Sequence, residues 1–415
     1  MSTGPGAERF DERRLLVALF GAGTAAFAQL YAPQSVLPDA ARDLATSASA
    51  TALLVSAATL GLAAGVLPWA WVADRVGRVR AMTIAMLGAT AVGLAVPFAP
   101  TFGLIIAGRA VEGLLVAGVP AVAMAYLTEM LTDAGAASAV PRAAGTYVAG
   151  TSMGGLVGRL VSGGVAELFG WRAGVGAVAV ACLVATGVFV WLAPRDLPGE
   201  PARGRSSDGG GGDGGGGGGG DGDSSSRDRS RRLRVLFSPR LLALDAQGLL
   251  LMGGFVAVYN YLGFRLADEP FGLSSGVVSL VFLAYLAGTW SSARTGRLVV
   301  RHGRRRVLIA SSGVMALGVL VTLSAWLPLL LAGLVVLTAG FFGAHAVASG
   351  WTPVAAPRAR TQAAAVYNLA YYAGSSVFGW LGGVGFALAG WPGTVGMVLG
   401  LVAVAVGLAA SVLRD

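Results

Sequence analysis

Long apolar stretches alternate with short polar or charged segments along the whole chain. Each stretch is about 20 residues or longer, the length that an α-helix needs to span the hydrocarbon core of a bilayer. None shows the two-residue alternation of a transmembrane β-strand. The pattern therefore predicts about twelve transmembrane helices, which we place at 14–37, 49–72, 80–98, 101–128, 142–168, 171–193, 240–265, 275–298, 305–326, 328–352, 361–388 and 392–413.

One long hydrophilic segment, residues 194–239, interrupts this pattern. Its core consists of glycine, serine, aspartate and arginine, which cannot form an apolar core, so we interpret it as a linker. The linker divides the predicted helices six and six. The sequence therefore predicts an all-α integral membrane protein with two six-helix halves, residues 1–193 and 240–415, joined by a cytoplasmic linker.

The net charge of +9 could indicate a nucleic-acid partner, but the positions of the arginines argue against one. With the N-terminus placed in the cytoplasm, the cytoplasmic segments hold most of them, including Arg9, Arg13, Arg75, Arg301 and Arg358. This bias is typical of the positive-inside rule and predicts that both termini are cytoplasmic. The first apolar run is too long for a signal-peptide core and is interpreted as an uncleaved first helix.

Two loops at matching positions in the halves share a motif. The loop after the second helix reads Asp74-Arg75-Val-Gly77-Arg78, and the loop after the eighth reads Val300-Arg301-His-Gly303-Arg304-Arg305. Paired signals of this kind indicate duplicated halves. The first loop is similar to the signature of the major facilitator superfamily, Gly-x-Leu-x-Asp-Arg-x-Gly-Arg-Arg/Lys. The resemblance implies that the gating-loop motif comprises Asp74, Arg75, Gly77, Arg78, Gly303, Arg304 and Arg305.

A closer resemblance covers most of the chain. The segments 30–38, 118–129, 259–266, 340–351 and 367–383 are similar to the acriflavine-sensitivity subgroup of that family. Members of this subgroup are bacterial inner-membrane permeases often labelled as drug or sugar exporters. The resemblance implies a transporter of small organic molecules in the bacterial cell membrane and suggests efflux.

Charged side chains inside the predicted helices are candidates for function, because each is costly to bury in a membrane. Arg109 and Glu112 lie three residues apart, on one face of the fourth helix. They form either a structural pair that lowers its own insertion cost or a proton or substrate switch. The position also resembles a second family signature, in which a buried arginine is associated with proton coupling.

Three further ionisable residues each have a structural and a functional interpretation. Arg159 either reaches the interface or contributes to the substrate cavity. Asp245 is expected to be a solvated acid near the start of the seventh helix, with proton coupling as the alternative. His345 is either a packing residue or a titrating group. We therefore retain Asp245 and His345 as proton-coupling candidates beside the pair.

Polar and aromatic residues cluster in helices one, seven and eleven, which line the cavity in the family. They suit amphipathic or cationic ligands, although Tyr31 also fits an interfacial aromatic belt. The predicted substrate-cavity residues are Gln29, Tyr31, Arg159, Tyr259, Asn260, Tyr367, Asn368 and Tyr371.

Gly150, Gly154 and Gly158 recur every four residues in the fifth helix and predict close helix packing. They also resemble the family's antiporter signature, but Gly155 and Arg159 stand where proline and glycine are expected.

These observations favour a proton-coupled secondary transporter, an exporter or antiporter, that works by alternating access. A proton-coupled importer is the main alternative, and a membrane sensor without transport is more remote. No nucleophile–base pair, metal-ligand spacing or phosphate-binding loop is visible in the sequence, so we expect no enzyme activity, metal or cofactor. The expected partners are a small organic substrate, protons and the lipid bilayer, and we expect a monomer.

Overall fold

The computed structural model describes residues 11–193 and 235–414, and every regular element in these ranges is helical. Arg9 and residues 194–234 of the predicted linker lie outside the described residues. Within them, twelve helices follow one another: α1 (Glu12–Asp43), α2 (Ala48–Val76), α3 (Arg78–Phe98), α4 (Phe102–Asp133), α5 (Val140–Phe169), α6 (Trp171–Leu192), α7 (Pro239–Ala267), α8 (Ser275–His302), α9 (Arg304–Val321), α10 (Leu327–Ala355), α11 (360–388) and α12 (391–411).

The predicted all-α architecture is confirmed, and each predicted span overlaps one of these helices. By length and composition, nine helical runs in the described part of the chain can cross a membrane. They include α11 and α12 as the single run Arg360–Ser411. The remaining helices are less apolar, because α5 carries glycines, hydroxyl groups and Arg159, and α9 begins with three arginines.

Left-handed glycines mark equivalent turns in the two halves. Gly77 between α2 and α3 has φ = 90°, and Gly303 between α8 and α9 has φ = 84°. Gly170 between α5 and α6 has φ = 82°, and Gly390 between α11 and α12 has φ = 60°. Residues with a Cβ are strained in this region, so glycine is the residue that allows these short reversals. The repeated turn chemistry is consistent with duplication of a six-helix unit.

Glycines also allow two equivalent helix pairs to pack backbone to backbone. A Cβ on Gly154 of α5 would lie 2.2 Å from the Thr24 carbonyl oxygen of α1. Gly150 and Gly158 lie against Phe20 and Ala28 in the same way, at 2.5 and 2.4 Å. In the second half, a Cβ on Gly374 of α11 would lie 2.0 Å from the Leu249 carbonyl oxygen of α7. Close approach at small residues is the usual means of packing membrane helices.

The contacts divide the described helices into two compact units. Unit 1 contains α1, α2 from Leu53, α3 to α6, and Ser274–Leu280. Unit 2 contains Thr46–Ala52, α7, α8 from Val281, and α9 to α12. The first residues of α2 are therefore assigned to unit 2 and the rest of α2 to unit 1. The first residues of α8 are assigned to unit 1 and the rest of α8 to unit 2.

Candidate functional site

Arg109 belongs to unit 1 and donates hydrogen bonds to the backbone of two other helices. Its side chain is fully buried, with 0% exposed. Nε donates to the Leu54 carbonyl oxygen of α2 at 2.8 Å, and the terminal nitrogens donate to the Gln29 and Leu30 carbonyl oxygens of α1 at 3.2 and 2.5 Å. The guanidinium group thus joins α1, α2 and α4 at one point.

The sequence of α1 explains why a backbone carbonyl is available there. An α-helical carbonyl normally accepts a hydrogen bond from the N–H group four residues later. For Gln29 this residue is Pro33, which has no N–H group, and the helix changes to a 3₁₀ segment at Ala32–Val36. The Gln29 carbonyl oxygen therefore needs another donor, and Arg109 supplies it.

Glu112 completes the buried ion pair. Its Oε2 lies 2.5 Å from Nη1 of Arg109, and the side chain is 2% exposed. The Gln29 amide donates to the Ala89 carbonyl oxygen of α3 at 2.6 Å and also hydrogen-bonds Glu112. A buried pair of this kind is sensitive to loss of either charge, because the remaining charge is stranded in a medium of low dielectric constant.

Gly93 of α3 provides the space for this arrangement. A Cβ at this position would lie 2.2 Å from Nε2 of Gln29 and 2.9 Å from Oε1 of Glu112. Gly93 is not among the residues predicted from the sequence, because nothing distinguishes it locally from the many other glycines in the apolar stretches. Ala89 and Thr90 line a small gap beside Gln29.

Arg159 forms a second buried cluster in unit 1. It is 1% exposed, so the side chain does not reach outward to an interface. Nε donates to Oε1 of Gln34 at 2.7 Å, and the guanidinium group lies 4.4 Å from the ring centroid of Tyr31. The predicted substrate-cavity residues of α1 and α5 therefore lie at two separate places. Gln29 lies at the Arg109–Glu112 pair, and Tyr31 lies beside Arg159.

Charged side chains of unit 1 pair with one another at the loop around Gly77. Arg78 donates to Asp74 at 2.7 Å and to Glu129 of α4 at 3.0 Å. Arg75 lies over the ring of Trp71, 3.2 Å from its centroid.

The loop around Gly303 has no acidic residue at the equivalent position. Val300 stands where the first copy has Asp74, and it is 90% exposed. Arg305 donates instead to the Ala410 carbonyl oxygen of α12. The two loops therefore share the left-handed glycine but differ in their charged contacts.

The predicted substrate-cavity residues of unit 2 have different surroundings. Tyr259 is buried and its hydroxyl group lies 2.8 Å from that of Thr338 in α10. Asn260 donates to the Gly379 carbonyl oxygen of α11 at 3.1 Å. Both thus hold α7 against its neighbours, whereas Asn368 is exposed.

Asp245 and His345 lie near the same tyrosine in unit 2. Tyr367 has its hydroxyl oxygen 2.9 Å from Nδ1 of His345, and its ring packs against α7 at Gly248, three residues beyond Asp245. Asp245 is 8% exposed, so the expectation of a solvated acid at a helix start is wrong. In the described ranges, no three His, Cys, Asp or Glu side chains are grouped to hold a metal ion.

Comparison with known proteins gives one consistent result. Residues 15–289 match the family model described as Major Facilitator Superfamily. YnfM, an inner membrane transport protein of Escherichia coli, is 36% identical over 372 residues, which cover 89% of this chain and 84% of YnfM. YybF, an MFS-type transporter of Bacillus subtilis, is 32% identical over 372 residues, covering 90% and 86% of the two chains.

A solved structure has the same fold. The crystal structure of a bacterial homologue of the human lysosomal transporter Spinster superposes with a TM-score of 0.75. The match covers 97% of this chain and 96% of that one, at 15% sequence identity. At this identity the likeness concerns the fold alone.

Proposed function

We propose that this chain, which belongs to the Major Facilitator Superfamily, is a proton-coupled transporter that exports small organic molecules by alternating access. It is a multi-pass membrane transporter and not an enzyme. Coupling to protons, antiport and the outward direction are our proposals. The buried Arg109–Glu112 pair, with its bonds to α1 and α2, is the observation that supports the proposed proton coupling.

Protonation of Glu112 can change how strongly Arg109 is held against α1 and α2. With Glu112 ionised, its attraction to Arg109 helps to hold the guanidinium group against the carbonyl oxygens of α1 and α2. Protonation of Glu112 removes that attraction and leaves Arg109 charged, because arginine does not lose its proton in proteins. The balance between helix arrangements then changes with the proton, as a coupled transporter requires.

Export is the direction favoured by the resemblance to exporters of the acriflavine-sensitivity subgroup and by the glycine-rich α5. Import by symport is the competing direction. The arginine-rich predicted cytoplasmic loops support placement in a bacterial inner membrane with both termini in the cytoplasm.

Transport by purified protein in liposomes tests the coupling proposal. A panel of drugs and sugars is first screened for movement driven by an imposed pH gradient. For a transported compound, the double variant Arg109→Gln/Glu112→Gln is expected to fold but to lose gradient-driven accumulation. Each single variant strands one buried charge and is expected to lose about 3–5 kcal/mol of stability.

The exposed pair Glu12–Arg142 provides a matched control. Its side chains are 32% and 73% exposed, so Glu12→Gln/Arg142→Gln removes the same two charges at the surface. This control is expected to retain accumulation. Accumulation by the Arg109→Gln/Glu112→Gln variant that still follows the gradient would refute the assignment of proton coupling to this pair.

A further inference from the structure

Asp245 is a buried carboxylate that lies apart from the Arg109–Glu112 pair. It is 8% exposed, and its Oδ1 accepts no hydrogen bond from any residue in 11–193 or 235–414. The nearest arginine in α7, Arg240, lies over the ring of Trp351 at 5.3 Å and donates to the Arg414 carbonyl oxygen. An ionised carboxylate left in this state is costly inside a membrane protein, so its charge must be neutralised by a proton or a cation.

Aromatic side chains from α10 and α11 lie beside this carboxylate. Tyr367 packs the hydroxyl end of its ring against α7 at Gly248, three residues beyond Asp245. A Cβ on Gly248 would lie 3.1 Å from Cε2 of Tyr367. Tyr367 is in turn bonded to His345, whose ring centroid is 4.7 Å from that of Tyr371. His345 and Tyr371 are partly exposed in the structure.

The chemistry of these side chains selects a class of ligand. One carboxylate oxygen beside several aromatic rings matches the requirements of an organic cation, because ring faces attract positive charge. A metal such as Mg²⁺ or Ca²⁺ would need about six or more oxygen ligands. The described residues group no three His, Cys, Asp or Glu side chains that could hold one.

We propose that Asp245, Tyr367, His345 and Tyr371, the Asp245 cluster, form a subsite for the cationic group of an organic substrate, such as a protonated or quaternary amine. The subsite gives the proposed transport function a substrate class, and it rests on that function. The carboxylate faces the positive charge, and the rings of Tyr371 and His345 cover the apolar part around it.

Binding of radiolabelled tetraphenylphosphonium to the detergent-solubilised full-length protein tests the subsite. Asp245→Asn keeps the shape of the side chain and removes its charge, and it is expected to weaken binding by about tenfold or more. Asp268→Asn removes the same charge from an exposed position after α7, and it is expected to bind like the wild type. Tyr371→Leu removes one ring at a partly exposed position and is expected to weaken binding about threefold to tenfold.

Absence of binding to the wild-type protein, or equal binding by wild type and a folded Asp245→Asn variant, would overturn the subsite. Should Asp245→Asn fail to fold, unchanged binding by Tyr371→Leu overturns it instead. The proposed transport function is judged separately, by pH-driven accumulation in liposomes. A protein that accumulates a sugar but binds no tetraphenylphosphonium would lose only the subsite. A protein that binds tetraphenylphosphonium but never responds to a pH gradient would lose only the proton coupling.

Discussion

At the scale of single residues, Gly93 leaves the space in which the Gln29 amide reaches Glu112 of the buried ion pair. Alanine at this position would place a Cβ 2.2 Å from Nε2 of Gln29. We expect Gly93→Ala to displace the Gln29 amide from Glu112, to cost about 1–3 kcal/mol of stability, and to reduce pH-driven accumulation. Accumulation in liposomes and the melting temperature in detergent measure the two effects.

Gly103→Ala in α4 is the matched control for this change. No heavy atom lies within 4 Å of the Cβ that it adds, so we expect unchanged transport and equal or slightly higher stability. Equal behaviour of Gly93→Ala and Gly103→Ala would show that the space beside Gln29 is not needed.

At the scale of helices, the contact between α1 and α5 depends on backbone approach at three glycines. A Cβ on Gly154 would lie 2.2 Å from a backbone oxygen of Thr24, which cannot move away as a flexible side chain can. We expect Gly154→Ala to force the helices apart and to lower the melting temperature of the purified protein, at a cost of about 1–3 kcal/mol.

Gly145 lies in the same helix with open space around it, and it supplies the comparison. Gly145→Ala should leave the melting temperature unchanged or raise it slightly, because alanine favours the helix more than glycine does. A Gly154→Ala variant as stable as Gly145→Ala would contradict the close contact between α1 and α5.

At the scale of the whole molecule, the predicted orientation can be measured by labelling introduced cysteines. The chain has a single cysteine, Cys182, which is buried and can be replaced by alanine. With both termini in the cytoplasm, Asp268→Cys after α7 is expected to react with a membrane-impermeant maleimide on intact cells. His302→Cys at the end of α8 is expected to react only after the membrane is opened. Both positions are exposed in the structure.

The reverse pattern, with position 302 labelled on intact cells and position 268 protected, would invert the proposed orientation. An unmodified Cys182→Ala protein measures the background labelling. The assignment depends on arginine counts in short loops, where the positive-inside bias operates.

The sequence by itself determined the number and order of the helices, because hydropathy acts locally along the chain and each span must be apolar over its own length. It also located the turns, since the loops around Gly77 and Gly303 carry the same motif and both adopt a left-handed conformation. The spacing of Arg109 and Glu112 placed them on one helical face, and the structure has them 2.5 Å apart.

The tertiary structure alone decided which groups surround each buried charge. Gln29 approaches Glu112 because α1 and α3 meet at Gly93, 64 residues away from Gln29 along the chain (93 − 29 = 64). Asp245 is buried, three residues before the contact of Gly248 in α7 with Tyr367 of α11, although its position about five residues into the predicted span 240–265 suggested a solvated helix start. Such neighbours depend on packing between distant segments, which local composition and periodicity do not encode.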